Sequence, residues 1–292
     1  MYGNFEGLLA LAVQNKTPLW QVILENEKKL IDKTEDEIFA LMQQRYDVME
    51  ASARRALETP MPTVLGLISG ISAPQNRYAG QNGGLCGALV NKAMAYALSC
   101  SEVNAAMGKI CAAPTAGACG IVPAVLLTLK EALSLSQHQT LCGLLTAAGV
   151  GAIIMKNATV AGAEGGCQAE CGVAAAMAGA AAVELAGGSP RQALDAVCFT
   201  LMNSMGLVCD PVAGLVQVPC AQRNASQTVN ALLSADLVLA GMTSIIPPDE
   251  VVEAMYRVGR QLPMELRETA MGGIAATDAA KKFARQLSEQ AG

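Results

Sequence analysis

The sequence predicts an all-α protein, and three observations carry the expectation. Helix-start punctuation recurs along the chain, stretches alternating with the period of two expected of strands are scarce, and the apolar segments run to helix length with abundant Ala and Gly.

Thr17-Pro18 offers an N-cap followed by proline at the first helical position and predicts a helix over 17–30. Thr34 precedes Glu35, Asp36 and Glu37 and then Ile38, Phe39, Leu41 and Met42, which predicts a helix over 34–58. The strongest break is Glu58-Thr59-Pro60-Met61-Pro62, after which a Gly- and Ser-containing stretch runs to about residue 90. It divides the chain into a small helical N-terminal part, 1–60, and a large helical domain, 61–292. Within the latter, helices are predicted over 92–112, 120–134, 137–155, 170–186, 190–206, 223–241 and 248–260, with Ser189-Pro190 and Pro248-Asp249-Glu250 repeating the start signal. No internal repeat, low-complexity tract or long charge run interrupts the series.

With 292 residues, 52% of them hydrophobic and 15% charged, the chain can bury a large core. A net charge of −5 without a basic run argues against nucleic acid or an anionic membrane as partner, because phosphate binding needs clustered Lys and Arg. The mean hydropathy of +0.34 raises the question of a membrane span. No purely apolar run reaches the roughly 20 residues a span requires: Leu144 to Met155 stops at Lys156, and Cys171 to Val183 lies between Glu170 and Glu184. The opening MYGNFEGLLALAVQNK lacks the basic start and small-residue cleavage site of a signal peptide, so a cytoplasmic location is expected. The ten cysteines are then expected as thiols. Few aromatics, at 3%, and a low charged fraction leave an apolar surplus that predicts an oligomer.

A free cysteine is by default a small buried hydrophobe. Cys100, Cys111, Cys142 and Cys198, inside apolar stretches read as helical, fit that role. Cys167 follows Gly165-Gly166, Cys209 precedes Asp210-Pro211, and Cys220 follows Pro219. Each sits beside helix-breaking residues, where backbone N–H groups are exposed and can stabilise a thiolate. Soft thiolates without accompanying histidines favour zinc or an iron–sulfur cluster. The compact CxxC pairs of zinc sites are absent, and the spacing by itself matches no general motif.

The stretches SEVNAAMGKICAAPTAGACGIVPAVLLTL, NATVAGAEGGCQAECG, LGLVCDPVAGLVQVPCAQRNA and IPPDEVVEAMYRVGRQLPMELRETAMGGIAAT resemble the α chain of the bacterial iron–sulfur-dependent L-serine dehydratases. The resemblance covers nearly the whole chain and is most specific from about 96 to 276. It implies that Cys167, Cys209 and Cys220 hold three irons of a [4Fe–4S] cluster whose fourth iron acts on L-serine, yielding pyruvate and ammonia without pyridoxal phosphate. It also implies a separate β chain, hence a hetero-oligomer. Cys171 stands outside the usual GGCQAEVG form of the motif and is read as packing. Two further departures matter: the family's SGLTGGD segment is Ser69-Gly70-Ile71-Ser72-Ala73-Pro74 here, and the C-terminal cysteine of single-chain relatives has no counterpart in Glu289-Gln290-Ala291-Gly292.

An amino acid substrate must be held by its carboxylate and ammonium. Pro114-Thr115-Ala116-Gly117-Ala118-Cys119-Gly120 precedes an apolar helix, so Thr115 and Gly117 are candidates for a carboxylate cradle at a helix N-terminus, or else for a tight turn that lets helices pack closely. Asn157, with Thr159 nearby, is a candidate polar contact. For the α-proton, Lys109 is the candidate base if burial lowers its pKa. His138 reads as solvated surface, and Glu164 and Glu170, flanking Cys167, read as supports for the cluster ligands. Two other classes compete. A non-catalytic iron–sulfur or thiol redox protein would hold a cluster without serine turnover, and a pyridoxal phosphate dehydratase would need a mixed α/β pattern that the sequence lacks.

Overall fold

Capping chemistry sets many of the element boundaries in this computed structural model, which describes residues 1–81 and 84–291. Asn82 and Gly83, within the glycine- and serine-containing stretch, and Gly292 at the chain end lie outside the described residues. The helices are α1 (Phe5–Asn15), α2 (Leu19–Ile31), α3 (Glu35–Arg55), α4 (Ser72–Gly80), α5 (Gly87–Ala105), α6 (Ile121–Ala132), α7 (Gln137–Asn157), the single turn α8 (Gly162–Gly165), α9 (Val173–Leu185), α10 (Pro190–Ser204), α11 (Cys220–Leu239), α12 (Pro248–Gln261) and α13 (Asp278–Ala291). No strand occurs among the described residues, where an isolated bridge pairs Cys209 with Arg267, so the all-α expectation holds. Thr34, Ser136 and Ser189 each close a capping box with the Glu or Gln three residues on, fixing the starts of α3, α7 and α10.

Several expected boundaries shift, among them the start of α5, which is Gly87 rather than 92, and the end of α3, which is Arg55 rather than 58. α2 starts at Leu19 with Pro18 as N-cap, and since Pro18 has no side-chain donor or acceptor, the cap comes from elsewhere: the half-buried Glu184 of α9 accepts from Leu19 N at 2.5 Å and Trp20 N at 3.3 Å. α5 stops at Ala105 rather than 112, because Met107 turns into the left-handed region (φ 58°) and a Cβ on Gly108 would lie 2.7 Å from Val103 Cγ1. Cys111 therefore lies in a loop, partly exposed, not inside a helix. α11 begins at Cys220, earlier than the expected 223, so Cys220 is the first helical residue.

α9 is the centre of the molecule. Every residue from Val173 to Val183 is buried, and the helix packs on α6, α7, α10 and α11. A helix apolar on all sides belongs in the middle of a bundle, and its alanines and glycines permit close approach: a Cβ on Gly179 would lie 3.5 Å from Ala231 O of α11. α7 is long and apolar enough to cross a membrane, but 72% of its apolar window is buried inside the protein, against α9, α2 and α3. The N-terminal helices share this core through Phe5, Leu8, Leu19, Ile23, Ile38 and Tyr46. Asp249 of α12 ties them down further by accepting from Phe5 N and Glu6 N, both at 2.9 Å.

Candidate functional site

Three distant segments bring thiols to one place. Cys167 opens a π-helical turn, Gln168–Gly172, that joins α8 to α9. Gly166 before it has φ 73°, and a Cβ there would meet Leu207 O at 2.8 Å and Leu262 Cδ1 at 2.6 Å, so a side chain is excluded by backbone conformation and by space. Gln168, fully buried, anchors the turn: its amide donates to Met255 O at 2.9 Å, its Oε1 accepts from Gly206 N at 2.7 Å, and its backbone N–H donates to Leu207 O at 3.0 Å. The last two bonds lay the 205–209 loop alongside Cys167.

Cys209 sits in that loop. Its N–H donates to Leu266 O at 2.9 Å and its carbonyl accepts from Glu268 N at 2.8 Å, so the segment after α12 is strapped onto it. Asp210 extends the strap by accepting from Ile274 N at 2.7 Å, and its other oxygen pairs with Arg223 at 2.8 Å. Cys220 follows the cis Val218-Pro219 bond and opens α11. One turn on, Asn224 is buried and bridges backwards: its Oδ1 accepts from Gly120 N at 2.9 Å, while its Nδ2 donates to Gly117 O at 2.7 Å and to Cys220 O at 2.9 Å.

Glu170, on the π turn, joins the remaining parts. Its Oε1 accepts from Thr115 Oγ1 at 2.8 Å and its Oε2 from Cys209 Sγ at 3.7 Å. Gly117 and Gly162 leave room for it, since a Cβ on either would lie 3.4 Å from Oε1 or 2.5 Å from Oε2 respectively. Burial raises the Glu170 carboxyl above its usual value, the Thr115 hydrogen bond lowers it, and the nearby Glu268 raises it again.

The thiols feel one another. Burial pushes Cys220 up to about 12, with the charges of Cys167 and Glu170 adding to it. Burial raises Cys209 still further, reinforced by Glu170, Cys167, Glu268 and Cys220. Cys167 is held below the ordinary thiol value by a hydrogen bond from Cys171, which outweighs its burial, and the Arg223 cation helps. Cys171 is correspondingly raised, first by that hydrogen bond and then by burial. A cation would displace the protons that Cys209 and Cys220 otherwise retain.

Among the described residues no group of three or more His, Cys, Asp or Glu is arranged to hold a metal ion. The donors at this centre are thiols without a histidine, the soft chemistry that suits iron–sulfur ligation, in which each cysteine holds a different iron. All ten cysteines are free.

Of the residues singled out from sequence, Thr115 and Gly117 reach this site, through Glu170 and Asn224. Lys109 does not show the burial its candidacy required and is exposed in the loop after α5. Asn157 ends α7 exposed, donating to Gly3 O at 2.9 Å and Ile153 O at 3.0 Å, so its amide serves the N-terminal segment. Glu164 is exposed; His138 is exposed too, yet packs its ring 4.7 Å from Phe39 and accompanies Cys142 at 3.6 Å. Sequence reasoning missed Arg223, Asn224, Asp210 and Glu268. The first two carry a signal, since they follow Cys220 at the i+3 and i+4 positions of one helix face.

Fold and site define an all-α protein with a buried centre of thiol donors. The profile of the family described as serine dehydratase alpha chain matches residues 14–275. A probable L-serine dehydratase alpha chain of Bacillus subtilis is 43% identical over 287 residues, covering 98% of this chain and 95% of the relative. The L-serine dehydratase alpha chain of Peptoniphilus asaccharolyticus is 48% identical over 272 residues, 93% of each. L-serine dehydratase 1 of Escherichia coli is 44% identical over 182 residues, which are 62% of this chain and 40% of that longer protein. The chain belongs to the serine dehydratase alpha chain family.

Proposed function

We propose that this chain is the α subunit of an L-serine dehydratase that converts L-serine to pyruvate and ammonia, with a [4Fe–4S] cluster held by Cys167, Cys209 and Cys220. The observation that carries the reading is the meeting of those three thiols, from segments 42 and 11 residues apart in sequence, beside the Thr115–Gly117 turn. Names of the relatives supply the substrate. The cluster, when bound, supplies a Lewis acid for the departing hydroxyl, and no pyridoxal phosphate is involved.

The chain's own residues have separable tasks. Cys167, Cys209 and Cys220 donate sulfur. Glu170 fixes Thr115, and Asn224 fixes Gly117 and Gly120, so that the turn at the N-terminus of α6 keeps one orientation relative to the sulfurs. Gly117 then presents a turn at a helix N-terminus to the substrate carboxylate, while the Thr115 hydroxyl, its proton committed to Glu170, holds that turn in place. Lys109 and Asn157, exposed, are given no part. The acceptor of the α-proton is assigned to a partner β chain, because Glu170 is committed to Thr115 and Cys209 and Lys109 lies open to solvent. The alpha-chain names of the relatives support such a partner, and ligation by free thiols suits the reducing cytoplasm.

The test is anaerobic reconstitution of the chain with iron and sulfide, followed by pyruvate formation from L-serine with and without the β chain. A cluster with turnover that rises about 10²- to 10⁴-fold on adding the β chain is expected, the usual worth of a general base. Equal rates per cluster would place the base in this chain, and a cluster without turnover in either mixture would favour a redox or assembly role.

A further inference from the structure

Cys209 and Cys220 are 11 residues apart, and the chain between them is irregular apart from one short turn at Val212–Gly214. One side chain spans that gap. Arg223 lies on α11, one turn after Cys220. Its Nη1 donates to Val208 O at 2.6 Å, and its Nη2 pairs with Asp210 Oδ1 at 2.8 Å. The guanidinium thus grips the chain immediately before and immediately after Cys209, from the helix that carries Cys220. Among the described residues no other hydrogen bond or ion pair joins 208–210 to α11. The side chains of Arg223 and Asp210 are 14% and 3% exposed, so water has little room to take over either contact. A rigid planar fork of donors can hold two acceptors at once in this way, whereas an ammonium is a single point charge.

We propose that Arg223 is a positioning residue for the cluster ligands: by gripping Val208 and Asp210 it sets where the Cys209 sulfur stands relative to that of Cys220. The role rests on the ligand assignment made above. Partners that hold metal ligands in place are typically worth about 10- to 100-fold in metal affinity, and here one side chain acts on two ligands together. Asp210 passes the constraint on, because its other oxygen accepts from Ile274 N at 2.7 Å and so ties the 264–276 strap to the same guanidinium. Removing Arg223 alone strands the Asp210 carboxylate in the interior, a cost separate from the loss of the clamp.

The experiment compares the full chain with Arg223→Gln, Arg223→Lys, the double variant Arg223→Gln/Asp210→Asn, and Glu184→Ala, whose lost tie lies at the opposite end of α9 from the thiols. Iron retained per chain against a competing chelator is read after anaerobic reconstitution with iron and sulfide. The alkylation rate of each cysteine is read by mass spectrometry before iron is added. Arg223→Gln should hold iron about 10- to 100-fold more weakly. Arg223→Lys should not restore it, since lysine keeps the charge and loses the fork, and the double variant, free of the stranded carboxylate, should stay as weak. In the iron-free Arg223 variants alkylation should rise at Cys209 and stay at the wild-type rate at Cys142 and Cys198. Glu184→Ala should keep wild-type iron retention and a wild-type rate at Cys209, although its fold is less stable. Undiminished iron retention in Arg223→Gln, recovery in Arg223→Lys or the double variant, an equal loss in Glu184→Ala, or an unchanged rate at Cys209 would overturn the positioning role. A wild-type chain that takes up no iron would instead refute the ligand assignment, and the role with it, so the two failures are distinct.

Discussion

Replacing Asn224 tests whether the turn at 117–120 is held to the thiol-bearing helix by one side chain. Alanine removes the acceptor of Gly120 N and the donor shared by Gly117 O and Cys220 O. Gly120 is buried, and its N–H has no room to be rescued by movement, since a Cβ there would already be 2.5 Å from Ala97 O. An orphaned buried donor costs about 1–3 kcal/mol, and the second lost bond about 1 kcal/mol net, because half-buried Gly117 O can turn to water. The sum is about 2–4 kcal/mol, and at roughly 2–4 °C per kcal/mol the fall in melting temperature is easily read. Aspartate separates geometry from mere deletion. It keeps the acceptor for Gly120 N but sets an oxygen against the carbonyls of Gly117 and Cys220, at the places now 2.7 and 2.9 Å from Nδ2. Only the protonated acid can donate there, so folding raises that carboxyl above its unfolded value of about 3.9. Its stability is thus greatest below that pH and is lost as pH rises through the folded value. The assay is thermal unfolding of the iron-free variants across pH, with iron binding measured on the same preparations. If Asn224→Ala lies within about 0.5 kcal/mol of wild type, or Asn224→Asp matches wild type at neutral pH, the tie carries none of the load assigned to it.

Cys167→Ser, Cys209→Ser and Cys220→Ser should each fail to retain iron and sulfide after anaerobic purification, whereas Cys142→Ser and Cys198→Ser should retain both; normal iron in any of the first three removes it from the ligand set. Glu184→Ala should cost about 1–2 kcal/mol in chemical unfolding, because α2 has no cap of its own. Burial raises the Glu184 carboxyl, so wild type should lose stability relative to Glu184→Gln as pH climbs from the ordinary glutamate range through that raised value, and a flat difference would contradict the burial argument. Glu102, fully buried, accepts from Met61 N at 2.7 Å, Gly70 N at 2.9 Å, Ser72 N at 3.4 Å and Ser72 Oγ at 3.0 Å, so Glu102→Ala should release the 60–72 loop. Limited proteolysis reads this directly, with new cleavage between 59 and 72 expected and an unchanged digestion pattern counting against it.

Local chemistry was legible in the sequence where it was local. Thr34, Ser136 and Ser189 announce their helices because an N-cap and its partner sit three residues apart. The unusual surroundings of Cys167, Cys209 and Cys220 were visible for the same reason. α4 escaped notice because SAPQNRYAG carries proline and glycine and little periodicity, and it is packing against α5 that makes it a helix. Cys111 was misplaced because the apolar run continues past the left-handed turn at Met107. Glu170 was read as a support, but what it supports was out of reach: Thr115 and Cys209 are 55 and 39 residues away, and no spacing rule joins them. The Glu184 cap, reaching 165 residues to Leu19, is hidden in the same way.

Those long-range ties explain how a site made largely of loops and helix ends keeps its shape. Loop backbones carry donors and acceptors that regular structure does not satisfy, and each left unpaired in the interior would cost free energy. Here buried side chains satisfy them across segments: Gln168 spans Gly206 N and Met255 O, Asp210 takes Ile274 N, Gln217 donates to Val64 O at 3.0 Å, and Glu102 gathers the 61–72 backbone. Each tie fixes two segments at once, so the 205–219 loop, the strap at 264–276 and the turn at 114–120 cannot shift independently of the helices bearing the thiols. Such a frame is set before any ligand arrives, which is what a site needs if binding is not to be spent on ordering loops. It is also brittle. Glycines at 120, 162 and 166 face carbonyl, carboxylate and carbonyl oxygens at 2.5, 2.5 and 2.8 Å from where a Cβ would stand, so even alanine there must push a tied segment.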